Sequence, residues 1–211
     1  MDRKKKKENQ SRGIIIIISF YIIYIIHKMV AGSILPIAFH NGKLYFLFGK
    51  ENSMEDSHKG WSDFGGGVEN GETPFKAALR EGGEELTGFL GDEKSIHKLL
   101  KKNGFYKIVH NKYHLHAFFM EYDENLPKHY NNNHKFLWER MDKQYLNSTK
   151  LFEKIEIKWF SEEELTSMRS VFREFYREIV DKIKENIPHL MKMYNKKAKS
   201  KTRYTRKIRG G

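Results

Sequence analysis

Apolar positions along this chain switch between two periods. From Ala31 to Phe39 they run almost unbroken, pause at Asn41-Gly42, and resume from Leu44 to Phe48. Apolar runs of that length read as strands, and Asn-Gly is a favoured pair for a two-residue hairpin turn because both central residues need positive φ. Phe105–His110 and Tyr113–Tyr122 make a second antiparallel pair, and Ile155–Ser161 a last strand leading into the short helical run Glu162–Leu165. Elsewhere the period lengthens to that of a helix. Thr73 is an N-cap and Pro74 a first helical residue, after which Phe75, Ala78, Leu79 and Leu86 share a stripe. The stretch Glu121–Leu151 exceeds an ordinary strand connection. Past its polar Asn131–Asn133 break, Phe136, Leu137, Trp138, Met141, Tyr145 and Leu146 fit a helix. In Ser167–Ile187, Val171, Phe175, Ile179 and Ile183 fit another.

The Thr73 helix carries an electrostatic oddity. Glu81, Glu84 and Glu85 stand three and four residues apart, on one face and within reach of one another, where like charges repel. Gly82 and Gly83 lie between them and each cost the helix about 1 kcal/mol relative to alanine. A solvated acidic face is one reading. A hard divalent cation is the other, since Mg²⁺ takes carboxylate oxygens, keeps waters and completes its shell with substrate phosphates.

The upstream residues favour the cation. Trp61-Ser62-Asp63-Phe64-Gly65-Gly66-Gly67 reads as an apolar strand end breaking into a glycine turn, and Gly66, Glu72, Arg80, Glu81, Glu84 and Glu85 keep one register. In that register the chain resembles the Nudix hydrolase family, whose box is G, five residues, E, seven residues, then R-E-U-x-E-E-x-G-U with U aliphatic. Gly82 stands where the first aliphatic residue belongs, and the closing glycine comes one residue late, as Gly88, which would then be the helix stop. The resemblance covers residues 31–165. It implies an α+β fold, an α/β/α sandwich around a mixed sheet with a helical insertion and a C-terminal helix. It also implies hydrolysis of a nucleoside diphosphate linked to another group. Glu81, Glu84 and Glu85 would hold Mg²⁺ or Mn²⁺, one of them also serving as base, with Glu72 and Arg80 orienting them and a carbonyl near Gly65 or Gly66 joining the shell.

By the resemblance, one more acidic ligand or base is expected from a segment packed over the helix. Glu153, ahead of the last strand, is preferred here to Glu156 within it. His114 and His116 alternate with apolar residues and share a strand face; His116 is a candidate for the substrate pocket. Tyr130 and Trp138 in the insertion are candidates for stacking on a base, although helical stripes are more often core.

The chain's 211 residues support one ordinary domain, and its lack of cysteine excludes disulfides, thiolate metal sites and a cysteine nucleophile. Net charge is +12, but residues 1–28 carry +5 and residues 196–211 carry +8, which leaves −1 for 29–195. Basicity therefore belongs to two appendages rather than to the catalytic domain. Residues 196–211 are too charged to fold alone and are expected to be a disordered tail able to hold nucleic acid or another polyanion. At the other end, Lys4–Lys7 precede the apolar run Ile14–Ile26, about 20 Å long as a helix and shorter than a bilayer core. It reads either as a signal or membrane anchor, or as sequence upstream of a native start at Met29. The expected location is the cytoplasm, with membrane contact through residues 14–26 as the added expectation.

The glycine turn, the helix exit, the helical insertion and the basic tail most resemble Nudix proteins of large DNA viruses. By that resemblance the leading expectation is removal of the 5′ cap of mRNA with release of a 7-methylguanosine diphosphate. Hydrolysis of a diphosphoinositol polyphosphate or a nucleotide is the alternative, and a non-catalytic RNA- or membrane-binding module is the reading from another class.

Overall fold

The computed structural model describes residues 30–52, 59–142, 144–145 and 153–209, with side chains as far as residue 198. Strand β1 (Ala31–His40) is the hub of a seven-stranded mixed sheet. Its C-terminal half pairs antiparallel with β2 (Lys43–Glu51) through the Asn41-Gly42 turn, where φ is 49° and 79°. Both values are the left-handed ones that Asn-Gly tolerates. Its N-terminal half pairs with β4 (Phe64–Gly67), and its other edge runs parallel to β6 (Tyr113–Phe119), which β5 (Phe105–His110) completes. β2 also carries β7 (Lys154–Ser161) and the two-residue β3 (Trp61–Ser62).

Helices cover both faces, which is why the successive residues Ile34–Ala38 of β1 are all apolar and buried. Ile34, Ala38, Leu47 and Phe118 pack against α1 (Pro74–Glu85), α2 (Glu93–Asn103) and α3 (Asn125–Trp138). Leu35, Ile37, Phe48 and Phe119 face α4 (Glu162–Ser167), α5 (Tyr176–Glu185) and α6 (Ile187–Arg209). The result is the α/β/α sandwich expected.

Several boundaries differ from the pattern-based reading. Gly65–Gly67 is strand, not turn, because β1 takes it as an antiparallel partner, Gly65 opposite Ser33 and Gly66 opposite Gly32. The insertion's helix starts earlier than its apolar stripe suggests and buries Leu126, Tyr130 and His134. Its asparagines are not punctuation: Asn131 pairs with the backbone N–H and carbonyl of Ile157, at 2.8 and 3.2 Å. The helix expected over 167–187 is broken by a 3₁₀ turn at Arg169–Val171, because extended Phe172 enters the core instead of Phe175, which is 46% exposed.

In place of a disordered tail, α6 continues to Arg209. Residues 196–209 hold no Gly or Pro and are rich in Lys and Arg, good helix formers. They extend a helix already anchored by Leu190 and Tyr194, so no new nucleus is needed. The expected membrane contact is corrected too. No helix among the described residues is long and apolar enough to cross a membrane, and residues 14–26 lie outside those described.

Candidate active site

Helix α1 begins as its sequence dictates, with the Thr73 hydroxyl accepting from the Lys76 N–H at 3.2 Å and Pro74 in the first turn. It then lies very close to β1. A Cβ on Gly32 would come within 1.8 Å of the Pro74 carbonyl oxygen, and one on Gly82 within 2.3 Å of Ile34 Cδ1. The aliphatic residue missing at 82 is thus supplied from the strand, by Ile34. The helix closes with Thr87 N–H on the Glu84 carbonyl at 2.9 Å and Gly88 N–H on the Gly83 carbonyl at 3.1 Å. Thr87, at φ 48°, takes the left-handed stop expected of Gly88, which follows one residue later at φ 76°.

Arg80 organises the acidic face. Its guanidinium grips Glu72 through Nε and one terminal nitrogen, each at 3.2 Å, and that nitrogen also donates to the Gly67 carbonyl at 3.2 Å. The other terminal nitrogen donates to Glu81 at 2.7 Å and lies 3.5 Å from Glu84. The hydrogen bond from Arg80 holds the Glu72 carboxyl below the usual range. A Cβ on Gly66 would sit 2.5 Å from a Glu81 oxygen, so any side chain there would displace that carboxylate. Gly65 turns its N–H to Glu85, 2.8 Å away.

From the loop ahead of β7, Glu153 meets this face. Glu81, Glu85 and Glu153 each offer a carboxylate oxygen, all within 4.8 Å of one another, and the first two residues are buried. Glu84, on Arg80, is outside that triplet. Burial pushes the Glu85 carboxyl well up, its carboxylate neighbours add to that, and the nearby Lys154 ammonium opposes it.

Lys154 joins this face from outside the sequence motif. It is fully buried, 3.2 Å from Glu85, and its ammonium also donates to Glu51 and, at 2.8 Å, to Ser62. Arg173, from the opposite helix layer, reaches the same Glu51 oxygen at 2.5 Å. Although burial raises it, Glu51 ends below the usual range because Lys154 and Arg173 hold it ionised. A lone Lys after Glu153 and a Glu ending β2 carry no motif; only the β2–β7 pairing, which sets Glu51 opposite Lys154, brings them together. Asp63 too lies outside the six residues in register. It is buried, accepts from Ser33 at 2.5 Å and from the Tyr113 hydroxyl, and burial lifts it to about 6.

The three pocket candidates fare differently. Tyr130 is 1% exposed, and its hydroxyl lies 2.8 Å from the Glu85 carbonyl and 2.9 Å from that of Lys154, so its ring is core and offers no face to a base. His116 is 2% exposed, donates from Nδ1 to the Ser33 carbonyl at 3.1 Å and packs edge-on against Phe75 and Phe105. It too is a packing residue, and with His114 it stays outside the triplet of ligand atoms. Trp138 stacks on His134, at 5.9 Å between ring centroids, at the end of α3.

No curated protein matches the chain by sequence. Among solved structures it is similar to the Ap4A hydrolase of C. elegans, at 14% identity over 77% of this chain and 98% of the other, with a TM-score of 0.44. The NUDIX domain of Shewanella oneidensis NrtR, complexed with ADP ribose, aligns at 10% identity over 75% and 88%, with a TM-score of 0.42. RenU, a Nudix hydrolase of M. smegmatis, aligns at 14% identity over 76% and 88%, with a TM-score of 0.39. Similarity this distant has no bearing on substrate. The NUDIX domain family itself matches residues 30–183, spanning every carboxylate described above. The chain therefore belongs to the NUDIX domain family and is a hydrolase acting on pyrophosphate bonds.

Proposed function

We propose that this chain is a Mg²⁺- or Mn²⁺-dependent pyrophosphohydrolase whose cation is held by Glu81, Glu85 and Glu153, with Glu84 beside them. The observation that carries the reading is the convergence of three carboxylate oxygens within 4.8 Å, two of them on buried residues. Hard oxygen donors so disposed suit these ions, and carboxylates held this close under partial burial favour a bound cation. A cation held there would supply charge to offset the pyrophosphate oxygens and would lower the pKa of a bound water. The chain's own part is positioning: Arg80 fixes Glu81 against Glu72, and the Gly65 N–H fixes Glu85.

The finer proposal for the substrate is capped RNA, cut in its triphosphate bridge. Its support is the distribution of charge. The domain of residues 29–195 is nearly neutral, while residues 196–211 carry eight basic and no acidic groups, and residues 196–209 continue a helix packed on the domain. Such a segment would hold the body of a transcript by counterion release. That near-neutral domain also supports a second reading, hydrolysis of a small diphosphoinositol or dinucleoside polyphosphate without help from the tail.

A panel of capped RNA, dinucleoside polyphosphates, nucleotide sugars and diphosphoinositols, with wild type and Glu85→Gln, separates them. Release of methylated guanosine diphosphate from capped RNA, lost in Glu85→Gln, is expected. Intact capped RNA beside cleaved small compounds would leave the second reading, and no turnover on any of them would overturn both.

A further inference from the structure

The buried ammonium of Lys154 lies against one of the three carboxylates that form the cradle, and nothing in the pyrophosphatase chemistry above calls for it. Its place is built with care. Gly49 leaves the space that its alkyl chain crosses, since a Cβ there would sit 2.8 Å from Lys154 Cγ. Glu51 and Ser62 hold the ammonium from the β2 and β3 side, with Arg173 bound to the same Glu51. Glu85 completes its surroundings at 3.2 Å. The backbone is pinned as well: the Tyr130 hydroxyl lies 2.9 Å from the Lys154 carbonyl, and Asn52 N–H donates to that of Glu153 at 2.9 Å.

We propose that Lys154 is a tethered counter-cation: it holds the acidic cradle together when no metal is bound, and competes with the metal for Glu85 when one arrives. The inference rests on reading Glu81, Glu85 and Glu153 as a metal cradle. Five glutamates, 51, 81, 84, 85 and 153, gather around this region. Arg80 serves Glu81 and Glu84 on one side, and Arg173 serves Glu51 on the other. Lys154 is the cation in contact with both Glu85 and Glu51. An ammonium so close to the cradle stabilises the carboxylates and repels a dication through the same low-dielectric interior. Lys154 thereby sets metal affinity below what the carboxylates alone would reach, which keeps the metal exchangeable.

Two roles predict opposite signs. Were Lys154 only a structural support, its loss would loosen the ligands and weaken metal binding. As a tethered cation, its replacement in Lys154→Met should lower the melting temperature in chelator yet tighten Mn²⁺ binding about tenfold or more. The melting temperature should then rise more steeply with added Mn²⁺ than in wild type. Glu51→Gln serves as the counterpart: with its other carboxylate gone, Lys154 is left to Glu85, and Mn²⁺ binding should weaken.

The measurement is titration of the full-length protein with Mn²⁺ alone, read by the electron paramagnetic resonance of the free ion and by thermal melting. Wild type that binds no Mn²⁺ overturns the cradle itself. Wild type that binds, with Lys154→Met equal or weaker, overturns the tethered cation and leaves the cradle standing. Should Lys154→Met unfold in chelator, recovery of its melting transition with Mn²⁺ supports the proposal, and failure to recover at saturating Mn²⁺ sinks it.

Discussion

His116 sits beneath Phe75 and Phe105, 2% exposed, and burial holds its imidazole neutral down to about pH 4. In the unfolded chain the same ring protonates near 6.5. Between those values the unfolded state binds a proton that the folded state refuses, so stability falls as pH drops from 6.5 towards 4, by up to about 3 kcal/mol. His116→Gln removes the titration while keeping a donor for Ser33, and its melting temperature should fall less steeply over that window than wild type; parallel slopes would acquit the imidazole. Thr87 offers a test in the opposite direction. A β-branched residue at φ 48° is strained, and glycine is not. Thr87→Gly should raise the denaturation midpoint by an amount equivalent to about 1 kcal/mol. A loss would mean that contacts of the threonine side chain outweigh its backbone strain.

At the scale of elements, the close seating of α1 on β1 fixes the cradle's geometry. Gly82→Ala should gain a little helix propensity and lose more to the collision with Ile34, a net destabilisation of about 1–2 kcal/mol. Paired with Ile34→Ala, the cost of the alanine at 82 should shrink or change sign, and a double-mutant cycle in chemical denaturation reads the coupling. Additive effects would show that helix and strand are not wedged there. This scale also explains what the sequence made legible. Glu81, Glu84 and Glu85 meet through helical spacing, a local matter, and Glu72 joins them through an Arg80 eight residues away. Glu51 and Lys154 are 103 residues apart and meet only through strand pairing, for which neither residue carries a local signal. Tyr130 departs from expectation for the reverse reason: the pattern marks a helix and cannot tell a buried tyrosine, bonded to two carbonyls, from a ring open to a ligand.

On the scale of the whole molecule, charge and chemistry are separated. α6 packs its first turns on the core through Leu190, Met191 and Tyr194, and Lys197 ties it to Asn103 at the end of α2, at 2.8 Å. Removing residues 199–211 spares all of those contacts. The truncated protein should keep its melting temperature and its turnover of small pyrophosphates, while capped RNA should bind more weakly and with a flatter dependence on salt. Equal affinity for RNA in both forms, measured across salt concentrations, would remove the tail from the reading.

The order of the strands has a consequence for how the protein is made. β1 leaves the ribosome early, yet it awaits β6 as its parallel neighbour, and β2 awaits β7. Glu81, Glu84 and Glu85 are all translated long before Glu153 and Lys154, which arrive together at the start of β7. A nascent or truncated chain thus carries most of the acidic face without its last carboxylate or its buried cation. The centre is assembled by the final strand of the sheet, so a prematurely terminated product retains the signature residues and lacks the site.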